Sequence, residues 1–197
     1  MAQDEAGSEH DWHGRLERVL FLEHEIRDRV SAMGREIEEH YRGEPLTIVG
    51  ILQGGALFMA DLIREIRLPL KVDAVSVSSY GSGTVSSGKV TFHQSRLPAL
   101  EGRHVLIVDD ILDSGRTLRA IADRFSDEAA PLSIRTAVLL SKRVARAVDI
   151  EADYRGFEVE NEFVVGYGLD YDGEYRNLRE IGVLHPEWIR SGEPEET

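Results

Sequence analysis

Apolar residues recur at three- and four-residue steps through Leu22, Ile26, Val30, Met33 and Ile37, which predicts an amphipathic helix closed by Arg42-Gly43-Glu44-Pro45. The cluster just before it, Val19-Leu20-Phe21-Leu22, is too short to be typed by its period. Leu46 to Leu52 is a continuous apolar run, the pattern of a strand covered on both faces. Phe58, Leu62 and Ile66 mark a short helix, and Val72 to Tyr80 alternates with the period of a strand. A Ser/Gly loop, Gly81 to Gly88, leads into a further strand at Val90 to Phe92. His104 to Val108 reads as a strand, Leu118, Ile121, Ala122 and Phe125 as a helix, and Ser133 to Leu140 as another strand. Phe163 to Tyr167 and Ile181 to Leu184 are short apolar segments near the end. Strands alternating with helices imply an α/β fold, with a mainly parallel, twisted sheet flanked by helices.

Composition narrows this to one domain. A chain of 197 residues, 42% hydrophobic and 30% charged, is long enough to bury its own core. Residues 1–14 are acidic and without periodicity, so they read as a disordered tail; residues 15–190 form the domain, and 191–197 a polar tail. The net charge of −13 weighs against nucleic acid or an anionic membrane surface as the main partner. Cysteine is absent, which removes disulfides, thiolate nucleophiles and thiolate metal sites. No apolar run approaches the ~18 residues of a membrane span. The acidic start is unlike a secretory or transit signal, so the cytoplasm is the expected compartment.

The chemistry concentrates between Val105 and Leu118, Val-Leu-Ile-Val-Asp-Asp-Ile-Leu-Asp-Ser-Gly-Arg-Thr-Leu. A buried strand is expected to end at Asp109 and Asp110, with Asp113 and Ser114-Gly115-Arg116-Thr117 leading into a helix. Ligands of open parallel sheets sit beyond the carboxyl ends of the strands, and the amides of a helix start favour an anion. The acids then need other partners, such as sugar hydroxyls or a metal ion; the blander reading is that they cap and solvate a turn.

Other readings of this stretch fail on the sequence. A receiver domain needs its acid pair near the start and a lysine near the end, whereas no lysine follows Lys142. Gly83 to Lys89 nearly spells a P-loop, but Val90 replaces the required hydroxyl and the sequence beyond it is no helix. There is no G-x-S-x-G, no H-E-x-x-H and no G-x-G-x-x-G.

The stretch resembles the phosphoribosyl-diphosphate (PRPP) motif of type I phosphoribosyltransferases. Leu52-Gln53-Gly54-Gly55, Ser79-Tyr80-Gly81, Lys142-Arg143, Phe163-Val164-Val165-Gly166-Tyr167-Gly168-Leu169-Asp170-Tyr171 and Tyr175-Arg176-Asn177-Leu178 resemble the hypoxanthine-guanine branch of that family, in order from about Val19 to Leu184. The resemblance implies the type I fold, with a small hood built from the N- and C-terminal segments. It implies Mg²⁺-dependent transfer of phosphoribose from PRPP to N9 of hypoxanthine or guanine, giving IMP or GMP and pyrophosphate, by a homodimer or homotetramer.

Residue roles follow from the same resemblance. Asp113 is implied as the catalytic acid–base group at purine N7. Ser114, Gly115, Arg116 and Thr117 cradle the 5′-phosphate, and Asp109 and Asp110 face the ribose hydroxyls. Gln53 and Gly54 turn backbone amides toward pyrophosphate at a non-proline cis peptide, and Arg176 grips pyrophosphate. Lys142 donates to purine O6, Phe163 stacks on the ring, Val164 reads its edge through the backbone, and Asp170 completes the purine site. Asp170 and Asp109 are the implied Mg²⁺ contacts, and Ser79 and Tyr80 the root of a lid. The chain departs from the family at Asp109, where Glu is usual, and at Gln53, where Lys is common. Two alternatives stay open: a transferase preferring xanthine, and a non-catalytic PRPP-sensing regulator, which would want a basic face.

Overall fold

The structure, a computed structural model, describes residues 12–79, 90–93 and 97–189. After a 3-10 helix at Trp12–Arg15 come β1 (Leu16–Phe21), α1 (Glu23–His40), β2 (Leu46–Leu52), α2 (Gly55–Glu65), β3 (Lys71–Ser79) and β4 (Val90–Phe92). They are followed by β5 (His104–Leu112), α3 (Arg116–Ala129), β6 (Ser133–Lys142), β7 (Tyr154–Val159), β8 (Val164–Val165) and β9 (Ile181–Leu184). A last 3-10 helix spans Pro186–Trp188.

The main sheet has the order β4-β3-β2-β5-β6-β7. Its pairs are parallel except for β4, which runs antiparallel on β3. Both faces are covered, which explains the unbroken apolar runs of β2 and β5. Ile48, Leu106 and Val108 pack with Ile26, Val30 and Met33 of α1 and Phe58 and Leu62 of α2. Their neighbours Val49, Val105 and Ile107 point the other way, against Leu118, Ile121 and Phe125 of α3. A second sheet, β1-β9-β8, joins the N- and C-terminal segments as the hood. Among the described residues no helix is long and apolar enough to cross a membrane.

Several boundaries differ from the sequence reading, each for a local reason. The 3-10 helix Trp12–Arg15 reaches into the segment expected as tail, because Trp12 packs edge-on against Tyr175, ring centroids 5.0 Å apart. The untyped cluster around Val19 is β1, with α1 starting one residue after Leu22. β5 continues past Val108 to Leu112, so Asp109 and Asp110 lie inside the strand and not in the turn beyond it. Of the short apolar segment Phe163 to Tyr167 only two residues, Val164–Val165, form a strand, β8, and Phe163 precedes it. The strand β7 had no apolar run to announce it, since Tyr-Arg-Gly-Phe-Glu-Val is an edge strand carrying its charges outward. Arg29 of α1 tethers it, donating from Nε to the Gly156 carbonyl at 3.0 Å.

Candidate active site

The carboxyl ends of β5 and β6 carry most of the predicted residues. Leu112 and Ser141 form the last paired positions of the two strands. Beyond that rung β5 turns through Asp113, Ser114 and Gly115 into α3, and β6 ends at Lys142. Gly115 sits at φ +80 immediately before α3, a conformation L side chains rarely adopt, and a Cβ there would collide with Ile150. Arg116 and Thr117 are the first two helical residues. A cavity of about 250 Å³ opens here, lined by Asp109, Asp110, Asp113, Ser114, Gly115 and Thr117. The unpaired amides of a helix start next to two hydroxyls suit a phosphate.

Consecutive strand residues point to opposite faces, yet Asp109 and Asp110 stay close enough to interact. Burial first, and the Asp110 charge second, push the Asp109 carboxyl well above the usual carboxylate range. Burial also raises Asp110, against hydrogen bonding from Asp109 and the Ile111 amide and the charge of Arg176. Asp110 is crowded against the loop after β2: a Cβ on Gly54 would run into its carboxylate. The peptide Leu52–Gln53 in that loop is cis, as the sequence resemblance implied.

A second cavity, about 220 Å³, adjoins the first and is lined by Asp110, Asp113, Lys142, Phe163, Val164 and Asp170. Lys142 Nζ lies 3.3 Å from Asp113 Oδ2, with the lysine side chain largely buried and the aspartate about half exposed. Phe163 is 41% exposed, so a ring face is free to stack, and Tyr171 meets it edge-on at 5.4 Å. Val164 is held in β8 opposite Val183.

Arg176 closes the third side. Its Nη2 is 2.7 Å from Asp170 Oδ1, and its Nη1 donates to the Gly168 carbonyl at 2.5 Å. The other Asp170 oxygen, Oδ2, accepts from the Gly173 amide at 2.8 Å. Gly168 itself, at φ +100, is pressed against the Gly54 carbonyl, which brings the hood onto the loop after β2. Ser79 ends β3; Tyr80 and the rest of the expected lid lie outside the described residues.

The structure thus brings together Gly54, Asp109, Asp110, Asp113, Ser114, Gly115, Thr117, Lys142, Phe163, Val164, Asp170 and Arg176 around one crevice, while Gln53 and Arg116 adjoin these residues in the chain and line neither cavity. It adds Ile111 and Leu169, apolar walls of the second cavity that lie within the quoted stretches but were given no role there. It also adds Arg146, which no quoted motif contains and which donates to the Leu112 and Asp113 carbonyls. Among the described residues no three acidic or histidine side chains converge into a metal cage. The carboxylates that line the two cavities, of Asp109, Asp110, Asp113 and Asp170, are the hard oxygen donors that Mg²⁺ takes one or two at a time, filling its octahedron with substrate oxygens and water.

Residues 21–172 match the phosphoribosyl transferase domain. The chain belongs to the phosphoribosyltransferase family. This phosphoribosyltransferase is 45% identical over 181 residues to the bifunctional protein TilS/HprT of Listeria monocytogenes, covering 92% of this chain and 28% of that protein. It therefore spans little more than a quarter of that relative's length. It is 46% identical over 171 residues to the hypoxanthine-guanine phosphoribosyltransferase of Bacillus subtilis, covering 87% of this chain and 94% of that one. A crystal structure of a hypoxanthine phosphoribosyltransferase from Staphylococcus aureus superposes with a TM-score of 0.86 at 42% identity, over 90% of this chain and 96% of that one. The type I fold expected from the sequence is therefore shown.

Proposed function

We propose that this phosphoribosyltransferase moves the 5-phosphoribosyl group of PRPP to N9 of hypoxanthine or guanine, releasing pyrophosphate and forming IMP or GMP. The observation that carries the reading is the Lys142–Asp113 pair, 3.3 Å apart in a cavity faced by Phe163 and continuous with the phosphate cradle. A 6-oxopurine presents O6 and N7 as neighbours along one edge, whereas adenine presents an N6 donor in place of O6. An ammonium beside a carboxylate complements O6 beside a protonated N7, and an ammonium facing the adenine amino group would be repelled. Curated relatives carrying the hypoxanthine-guanine name support the same choice.

The N9–C1′ bond forms as the bond from C1′ to the pyrophosphate oxygen breaks. Asp113 takes the proton from N7, and Lys142 donates to O6 and stabilises charge displaced onto it. Phe163 fixes the ring plane, Val164 reads the edge through its backbone, and Asp170 completes that side. Ser114, Gly115, Arg116 and Thr117 hold the 5′-phosphate; Asp109 and Asp110 hold the ribose. The amides near Gln53 and Gly54, with Arg176, take the pyrophosphate. Little covalent work falls to the protein, so positioning and electrostatics dominate. Asp109 and Asp170 would hold Mg²⁺, which, when bound, neutralises charge growing on the leaving pyrophosphate. A lid rooted at Ser79 and Tyr80, as the resemblance implies, would keep water from activated PRPP. The same reading makes the protein a homodimer or homotetramer, to be read by light scattering.

The test is incubation of purified protein with PRPP, Mg²⁺ and hypoxanthine or guanine, with nucleotide and pyrophosphate quantified together. Equal amounts of the two products are expected. Failure to form nucleotide from either base overturns the reading.

A further inference from the structure

Arg146 lies outside every motif, yet its side chain is 13% exposed and reaches the point where β5 and β6 part. Its Nη1 donates to the Leu112 carbonyl at 3.1 Å and to the Asp113 carbonyl at 2.6 Å, and its Nη2 donates to Ser141 Oγ at 2.8 Å. Leu112 and Ser141 are the final rung of the ladder. The next residue on one strand is Asp113 and the next on the other is Lys142. One guanidinium thus spans the fork from which the carboxylate and the ammonium diverge.

The neighbouring backbone extends the clamp. The Ala147 amide donates to the Ser114 carbonyl at 3.1 Å. Three consecutive carbonyls, of Leu112, Asp113 and Ser114, are therefore held by residues 146 and 147. Val148 and Ile150 lie beneath Gly115, where a Cβ would meet them. Segment 146–150 is thus the floor of the acid loop. Arginine suits this place because its planar fork serves acceptors on two strands at once, which a lysine ammonium on a single stem does not reproduce. Burial of an unfilled guanidinium is costly, and three acceptors go far toward meeting that cost.

We propose that Arg146 is a positioning residue for base recognition: by tying Leu112 and Asp113 of one strand to Ser141 of the next, it sets the spacing of Asp113 and Lys142. The proposal rests on the reading of that pair as the purine-edge contacts. Arg146 lines neither cavity; it acts through the backbone of one partner and the neighbour of the other. Displacements of about 1 Å at a reacting group can cost ~10²-fold in rate.

The test is a double-mutant cycle on kcat/KM for hypoxanthine, using Arg146→Met, Lys142→Ala and the double variant, with Tm measured on each. Arg146→Met is expected to lose about 10- to 100-fold in the wild-type background and less than about threefold once Lys142 is gone, because contacting groups couple and independent ones add. Ser141→Ala, which removes one prong and leaves the arginine in place, should show a smaller loss with the same dependence on Lys142. It keeps the cycle readable if Arg146→Met does not fold. Losses that multiply in the double variant, or an Arg146→Met enzyme within twofold of wild type, overturn the positioning role. Lys142→Ala alone separates the two ideas: if it leaves kcat/KM unchanged, the purine-edge reading of Lys142 has failed, whereas a large Lys142→Ala loss with a multiplying Arg146→Met loss refutes only the role of Arg146.

Discussion

The two ends of the crevice, proposed above to take the phosphate and the purine, are built in different ways. The phosphate end comes from one unbroken stretch, Asp109 to Thr117, in which a strand, a turn and a helix start lie in sequence. The purine end is assembled from Lys142 at the close of β6, Phe163 and Val164 at the entry to the hood, and Leu169 and Asp170 beyond it. A phosphate can be held by consecutive backbone amides, so a contiguous motif suffices. A base is recognised by side chains converging on one edge and one face, and convergence is a property of the fold. Asp113 belongs to both ends, lining both cavities.

That shared position gives the largest expected effect. Asp113→Asn keeps size and hydrogen-bonding reach but cannot take a proton, so kcat should fall ~10²–10⁴-fold with either base. Asp113 is about half exposed, so Tm should hardly move. Steady-state kinetics with differential scanning calorimetry checks both, and a near wild-type kcat would leave the loop as a phosphate cradle alone. Lys142→Met should then separate the ends, lowering kcat/KM for the base by about 10- to 100-fold, the scale of a lost charged hydrogen bond. The KM for PRPP should stay within about twofold, and a matching rise there would dissolve the distinction.

Gly115→Ala is the reciprocal variant. It forces a side chain into positive φ and against Ile150, at a cost of about 1–3 kcal/mol. Titration with PRPP should show weakened binding, while the KM for hypoxanthine holds. The smallest effect has the opposite sign. The folded-state pKa of Asp109 lies well above its ordinary value, so between the two the folded chain binds more protons than the unfolded chain. Stability of the ligand-free protein therefore falls as pH rises through the folded pKa. Asp109→Asn should raise Tm at neutral pH by about 2–4 °C, the shift expected from ~1 kcal/mol in a chain of this length. The gain should shrink as the solution is acidified; a constant gain would take ionisation out of the explanation.

The same contrast explains what could be read from the chain. The apolar runs of β2 and β5 and the three-and-four spacing of α1 state their own structure, because burial on both faces or along one stripe leaves a periodic record. The acid stretch is equally visible, its residues being neighbours. β7 left no such record: at a sheet edge its Arg155 and Glu158 face outward and its pattern is mixed. Nor could periodicity end β5 correctly, since Asp109 and Asp110 are polar yet continue the ladder beside β6. Arg146 was the hardest to see. Its partners are two carbonyls and one hydroxyl brought together by strand pairing, and in sequence it is one arginine among several.

Selectivity for 6-oxopurines beside a phosphoribosyl cradle, as proposed for this crevice, is read by comparing initial rates of pyrophosphate release with hypoxanthine, guanine, xanthine and adenine at fixed PRPP and Mg²⁺. Turnover of hypoxanthine and guanine is expected, with adenine inert because its N6 amino group would face the Lys142 ammonium. Preference for xanthine, itself a 6-oxopurine, would change only the choice of base, whereas turnover of adenine at a rate comparable to hypoxanthine would refute the selectivity itself.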